Sequence, residues 1–217
     1  MITLNEIKNN EVINAYIKKA DESLGAMGFT EHSFAHVGKV ADTAQKILRF
    51  LNYDERTVEL AGIAGWLHDM GNVINRIDHA QSGAIMAYRI LDELRMPPEE
   101  IATIITAIGN HDESTAYPVN AVAAALILAD KTDVRANRVR NDDMSTFDIH
   151  DRVNYSVKKN EVVLEEGKIT LCLTIDTSIC ALMDYFEIFM DRMLLCRRAA
   201  DRLGLVFGLK INGQRML

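Results

Sequence analysis

The apolar residues change their period part-way along the chain, and that change constrains the fold more than any other feature. From the N-terminus to about residue 140 they recur at three- and four-residue spacing, as in helices that bury one face. Val37, Val40, Ala44, Ile47, Leu48 and Leu51 form one such stripe. After Asp151 the spacing falls to two. In KITLCLTID, Ile169, Leu171, Leu173 and Ile175 alternate with Thr170, Cys172 and Thr174, which reads as a half-buried strand. The expectation is a mainly α fold. A helical bundle over 1–145 precedes a small α/β subdomain over 146–217, a sheet with a long helix, packed on the first.

Punctuating residues set the expected bounds. A helix over 4–24 stops near Gly25 and Gly28. Thr30 is the expected N-cap of a helix to about Asn52. Asp54 caps a third that ends at His68-Asp69-Met70-Gly71, with Gly71 as its stop. A fourth spans about Asp78 to Arg95, Pro97 and Pro98 begin one to Gly109, and Pro118 begins another through AVAAALILADKTD. Residues 152–164 are expected to supply one or two strands that partner KITLCLTID across a turn at Glu165-Glu166-Gly167. Thr177 or Ser178 should cap a long helix to about Leu203 with Ile179, Leu182, Phe186, Phe189, Met190 and Met193 on one face. LVFGLKI adds a last strand.

The formal net charge is -7. Surfaces that hold polynucleotide are usually basic, so this balance argues against nucleic acid as a partner. It leaves room for a small phosphorylated substrate, because a metal ion and a few cations can reverse the sign inside one pocket. Cys172, Cys180 and Cys196 are odd in number and form no close ligand pair, which fits reduced packing residues in a cytoplasmic protein. The polar N-terminus lacks a signal peptide's apolar core, and no apolar run reaches membrane-spanning length.

Histidines and acids cluster at expected helix ends. His68 and Asp69 close the apolar run LAGIAGWL, His36 lies on the preceding helix, and Asp130 closes LILAD. A carboxylate after Leu126, Ile127, Leu128 and Ala129 must be paired or bound to a cation if it is buried. It reads equally as an exposed acid, or as a partner of Lys131 or Arg135. His79, ten residues past Asp69, and His111, in IGNHDE, are the extra ligands that a second ion would need; taken singly, each reads as a surface or capping residue. Imidazole with carboxylate suits zinc, iron, manganese, magnesium, nickel or cobalt, and spacing does not choose among one or two such divalent ions.

Together, HVGKVA around His36, LHDMGN around His68-Asp69 and ILADKTD around Asp130 resemble the HD-domain superfamily of metal-dependent phosphohydrolases. The resemblance covers roughly residues 30–140. It implies that His36, His68, Asp69, His79, His111 and Asp130 bind two metals, with Asp69 bridging them. It also implies hydrolysis of a phosphate ester or anhydride, of nucleotide type. Asp69, His111 and Lys131 are then the candidate catalytic residues, with His111 or a metal-bound water as general acid. Many relatives carry lysine after HD-x-G where this chain has Asn72, so Asn72 stands as a substrate contact without charge. The GYP signature of cyclic-dinucleotide phosphodiesterases is absent. His79 to Arg140 also resembles the HD domain of ribonuclease Y, without a counterpart of its RNA-binding domain and membrane anchor. The other readings are a regulatory module that binds a nucleotide without turnover and a ribonuclease Y-like enzyme.

Lys131, Arg135 and Arg138 fall at i, i+4 and i+7 and are expected to grip phosphate from one helical face; the alternative is a solvated face paired with Asp142 or Asp143. His32 is expected to cap or support the ligands, Arg76 and Asp78 to lie at a pocket rim or on the surface, and His150 to be exposed. Met183, Met190 and Met193 read as core or as contacts in a homodimer.

Overall fold

Side-chain caps decide where six of the nine α-helices of this chain begin. The computed structural model describes residues 1–217. Thr3 caps α1 (Leu4–Lys8), and the Asn10 side chain accepts from the amides of Val12 and Ile13 to start α2 (Glu11–Ala26). The single helix expected over 4–24 is therefore broken at Asn9-Asn10. Ser33, not Thr30, caps α3 (Phe34–Phe50). The Glu31 amide donates to the Arg138 carbonyl at 2.8 Å, which holds the chain outside the helix at that point. Asp54 caps α4 (Glu55–Leu67) as expected.

Beyond His68 the chain tightens into a 3-10 turn, Met70–Val73. Gly71 lies inside that turn and is no left-handed stop. A Cβ there would fall 2.0 Å from the His79 carbonyl oxygen and 2.5 Å from the Gly83 amide nitrogen. Its missing side chain lets the turn lie directly on α5 (His79–Glu93). α6 (Pro98–Gly109) starts at its proline, whereas α7 (Ala121–Lys131) starts at the Asn120 cap rather than at Pro118. α7 is buried nearly all round and contacts α3, α4 and α6, so its run AVAAALILA forms the axis of the bundle.

The second half corrects two expectations, the first in residues 152–156. Residues 152–156 are not a strand: Asp148 accepts from the Asp151 amide and starts α8 (Ile149–Ser156). The strands are β1 (Val157–Glu165), β2 (Lys168–Ile175), β3 (Val206–Ile211) and β4 (Gln214–Arg215), in that order across one sheet. β1 and β2 form an antiparallel hairpin, β2 and β3 are parallel, and α9 (Leu182–Arg202) makes the crossover between them. Ile169, Leu171, Leu173 and Ile175 are all buried, as their alternation requires.

α9 starts later than expected because the Asp176 side chain holds Ser178 in a turn. Its buried face is Tyr185, Phe189, Met193, Cys196 and Ala200; Met190 is half-exposed and Ile179 precedes the helix. α9 packs on α7 and β3, and one apolar core of 54 buried residues runs from α1 to β3. The Asn160 amide of β1 donates to the carbonyls of Thr132 and Val134 at 2.5 and 2.9 Å, tying the sheet's edge to the segment that follows α7. No helix is long and apolar enough to cross a membrane.

Candidate metal centre

Five elements deliver six side chains to one buried point. His36 comes from α3, His68 and Asp69 from the end of α4, His79 from the start of α5, His111 from just past α6, and Asp130 from the last turn of α7. All four histidines are no more than 2% exposed, and Asp69 is 5% exposed. Such burial of polar groups is costly unless each finds a partner.

Each imidazole has one nitrogen satisfied and the other aimed at the centre. Nδ1 of His36 donates to Asp133 Oδ2 at 2.8 Å, and that of His68 to the Gly65 carbonyl at 2.9 Å. Nδ1 of His79 donates to the Arg76 carbonyl at 3.1 Å, and that of His111 to the Ile108 carbonyl at 2.6 Å. Those bonds keep a proton on Nδ1 and leave Nε2 as the nitrogen that faces the centre. His36 Nε2 lies 3.4 Å from both Asp69 Oδ2 and Asp130 Oδ1, and His68 Nε2 lies 3.1 Å from Asp69 Oδ2. Seven buried side-chain nitrogen and oxygen atoms in the whole chain lack a hydrogen-bond partner, and three of them meet here: His36 Nε2, His68 Nε2 and Asp69 Oδ2. Imidazole nitrogens and carboxylate oxygens that converge without a hydrogen-bond partner are what a divalent cation would satisfy, in place of the proton that His68 otherwise holds, so this position fits a metal.

A second position lies on the other side of Asp69. Its Oδ1 is 3.7 Å from His79 Nε2, which faces His111 Nε2 at 3.2 Å. Two imidazole lone pairs that close repel unless a cation stands beside them. Arg76 Nη1 stands 3.2 Å from His79 Nε2, so this pole already has one cation at its rim. The ligand atoms that lie within 4.8 Å of one another form two sets that overlap at His68: His36, His68 and Asp130, and His68, Asp69 and His111.

The charges follow from these distances. Burial works against a proton on His68, but Asp69 and Asp130 beside it prevail and push it up to about 10. Burial, reinforced by His68 and Lys131, pulls His111 down to about 3. Burial opposes ionisation of Asp69 and Asp130, yet His68 beside the first and Lys131 beside the second hold both well below the usual carboxylate range.

The remaining candidates divide. Lys131 is buried with Nζ 2.7 Å from Asp130 Oδ2, and it lines the pocket above the centre. Arg135 and Arg138 do not share its helical face, because α7 ends at Lys131. Both turn to the buried Asp133, with Arg135 Nε 2.8 Å from Oδ1 and Arg138 Nη1 3.7 Å from Oδ2, and neither pairs with Asp142 or Asp143. Arg138 still reaches the pocket wall; Arg135 does not. The Asn72 amide donates to the Asp69 carbonyl and to Asp69 Oδ1 at 2.9 and 3.0 Å, so it fixes Asp69 and is absent from the pocket lining. His32 donates from Nδ1 to the Thr30 carbonyl, sets its ring edge against His36, and lines the pocket with Arg76 and with the exposed His150.

The pocket has a volume of about 570 Å³. Sequence reasoning did not single out Asp133, Glu113 or Arg192 around it. Asp133 carried a signal, since it closes the same ILADKTD segment as Asp130. Arg192 carried none, because its helix reads from sequence as core packing alone.

Residues 33–138 match the family model of the HD domain, and all six converging side chains lie within that span. The chain is an HD-domain protein. Over 180 residues it is 24% identical to an uncharacterized protein of Methanocaldococcus jannaschii, covering 72% of this chain and 69% of that one. It is also similar to the crystal structure of a predicted HD superfamily hydrolase from an uncultured Thermotogales bacterium, at 22% identity and a TM-score of 0.47, over 62% of this chain and 76% of that one. The pocket of this HD domain is completed from outside the matched span, by the segment 27–32 before it and by α8 and α9 after it.

Proposed function

We propose that this HD domain is a metal-dependent phosphohydrolase acting on a small phosphorylated molecule of nucleotide size. The observation that carries the reading is the convergence of partnerless Nε2 and carboxylate atoms at the floor of a pocket whose wall holds Arg76, Lys131, Arg138 and Arg192. A divalent ion at that floor supplies Lewis acidity, lowering the pKa of water and offsetting charge on phosphoryl oxygens.

The protein's own groups have distinct tasks. His36, His68, Asp69 and Asp130 would hold an ion at the first position, and Asp69 with His79 and His111 would hold one at the second. Asn72 fixes the Asp69 carboxylate by donating to Oδ1, which leaves Oδ2 facing His36 and His68. Lys131 stays protonated: burial opposes its charge, but Asp130 and Glu113 prevail, and its ammonium offers electrostatic contact to an anion. His111 is neutral with its proton committed to the Ile108 carbonyl, so it serves as a ligand and not as the general acid. The pocket's volume suits a mononucleotide-sized molecule, and the net charge of -7 disfavours a polynucleotide.

Metal content of anaerobically purified protein tests the reading, for the natural chain and for Asp69→Ala, His79→Ala and His111→Ala. Near two ions per chain, falling in all three variants, is expected, followed by phosphate release from a panel of nucleotides and phosphomonoesters. One ion per chain, unaffected by the two histidine changes, reduces the site to its first position. No metal under any loading condition, or no phosphate release with any metal, ends the hydrolase reading.

A further inference from the structure

Arg192 stands on the pocket wall from α9, far outside the HD-domain span. Its neighbours fix it tightly. Nε donates to Glu113 Oε1 at 2.7 Å, and the guanidinium carbon lies 4.2 Å from the ring centroid of Phe189, one helical turn away. Phe189 is itself 2% exposed, so the ring is a rigid floor for the guanidinium plane. Arginine has five N–H donors, and only Nε finds an acceptor in the protein. The other four, on Nη1 and Nη2, belong to a side chain that is 22% exposed and lines the cavity.

Glu113 links this arginine to the metal centre. Its Oε1 is 3.7 Å from Lys131 Nζ, and Lys131 lies 2.7 Å from Asp130. Arg192 and Lys131 therefore flank one carboxylate beside a metal-ligand candidate, with a fork of unused donors turned to the same cavity. A planar fork held by stacking on one face and by one hydrogen bond at Nε is preorganised for two parallel bonds to a tetrahedral oxyanion. A salt bridge to Glu113 alone would need neither the stacking ring nor the cavity position.

We propose that Arg192 is a substrate-phosphate contact of this pocket, gripping the phosphate with Nη1 and Nη2 while Nε stays on Glu113. The proposal rests on the phosphohydrolase reading and assigns one of its binding groups to a helix that lies outside the HD domain. Lys131 and Arg192 then bind anion from the Asp130 side, whereas Arg76 stands beside His79.

The test is calorimetric binding of inorganic phosphate to Mn²⁺-loaded protein, for the natural chain, Arg192→Gln, Arg192→Lys and Arg197→Gln, an exposed arginine of α9 that does not line the pocket. Metal content and thermal unfolding are measured on each. Arg192→Gln is expected to weaken phosphate about tenfold or more with its manganese content unchanged, since hydrogen bonds to charged groups carry about 1.5–3 kcal/mol. Arg192→Lys should fall between, keeping charge but losing the fork, and Arg197→Gln should bind as the natural chain does. Unchanged phosphate affinity in Arg192→Gln overturns the proposal and leaves a tie between α9 and Glu113. An equal loss in Arg197→Gln overturns it too, as a general charge effect. If Arg192→Gln fails to fold, Arg192→Lys decides: natural affinity there is the overturning result. A natural chain that holds manganese but binds no phosphate fails this proposal and the hydrolase reading together, whereas binding that is indifferent to Arg192 fails this proposal alone.

Discussion

Nδ1 of His36 donates to the carboxylate of Asp133 at 2.8 Å, a bond between residues 97 apart in sequence. Asp133 is completely buried, and Lys39, Arg135 and Arg138 surround its other lone pairs. The carboxylate thus orients one ligand and pairs with three cations. Asp133→Asn should lower metal affinity about 10–100-fold, the usual effect of losing a partner that orients a ligating histidine. It should also cost about 3–5 kcal/mol of stability, because the buried Arg138 loses its countercharge. Metal titration and urea denaturation check the two effects; natural values in both would remove the orienting role.

Metal binding at neutral pH should expel a proton. In metal-free protein the proton on His68 persists to about pH 10, because Asp69 and Asp130 outweigh the cost of burial. A cation must take its place. Calorimetry at pH 7 in buffers of differing ionisation enthalpy should report about one proton released as the first position fills. An enthalpy independent of buffer would show that His68 is already neutral.

His111 works in the other direction. Burial pulls it down to about 3, so the native chain leaves it unprotonated while an unfolded chain protonates it near its ordinary value of 6.5. The unfolded state then binds more protons, and stability drops as pH falls through that window. In metal-free protein, the stability of the natural chain relative to His111→Gln should shrink by up to about 1.4 kcal/mol per pH unit between pH 6.5 and 3. Urea denaturation at pH 7, 6 and 5 measures it, and parallel curves for the two proteins would contradict the burial argument.

Two glycines near the centre should respond oppositely to alanine. A Cβ on Gly71 meets the backbone of His79 and Gly83, which cannot yield as a side-chain tip does. Gly71→Ala should destabilise by about 1–3 kcal/mol and weaken metal at the His79 position. A Cβ on Gly109 meets only the Ala84 methyl at 3.7 Å, so Gly109→Ala should gain a few tenths of a kcal/mol. Thermal melts of both variants suffice.

Much of this arrangement was legible in the chain because it depends on local signals. Asp54, Pro98 and the alternation of Ile169 to Ile175 act within a few residues, and the helix and strand they announce form as expected. The ligand candidates converge because each sits at a helix end facing the same point. What escaped depends on long-range contacts. Thr30 loses its capping role because Glu31 pairs with the Arg138 backbone, and Arg135 turns inward because Asp133 is buried beneath it. Residues 152–156 alternate well enough for a strand, yet the Asp148 cap recruits them to a helix. Asn72 looks like a substrate contact until Asp69 claims its amide.

The two hydrogen bonds from the Asn160 amide carry one more consequence. Thr132 and Val134 are buried, and the carbonyls of both accept from a side chain of the sheet that follows more than twenty residues later. A fragment cut near residue 145 would lose those donors along with the α9 surface that covers α7. The boundary where the apolar period changes is thus a weld and not a hinge: peeling the sheet away pulls on the segment that holds Asp133, just past Asp130.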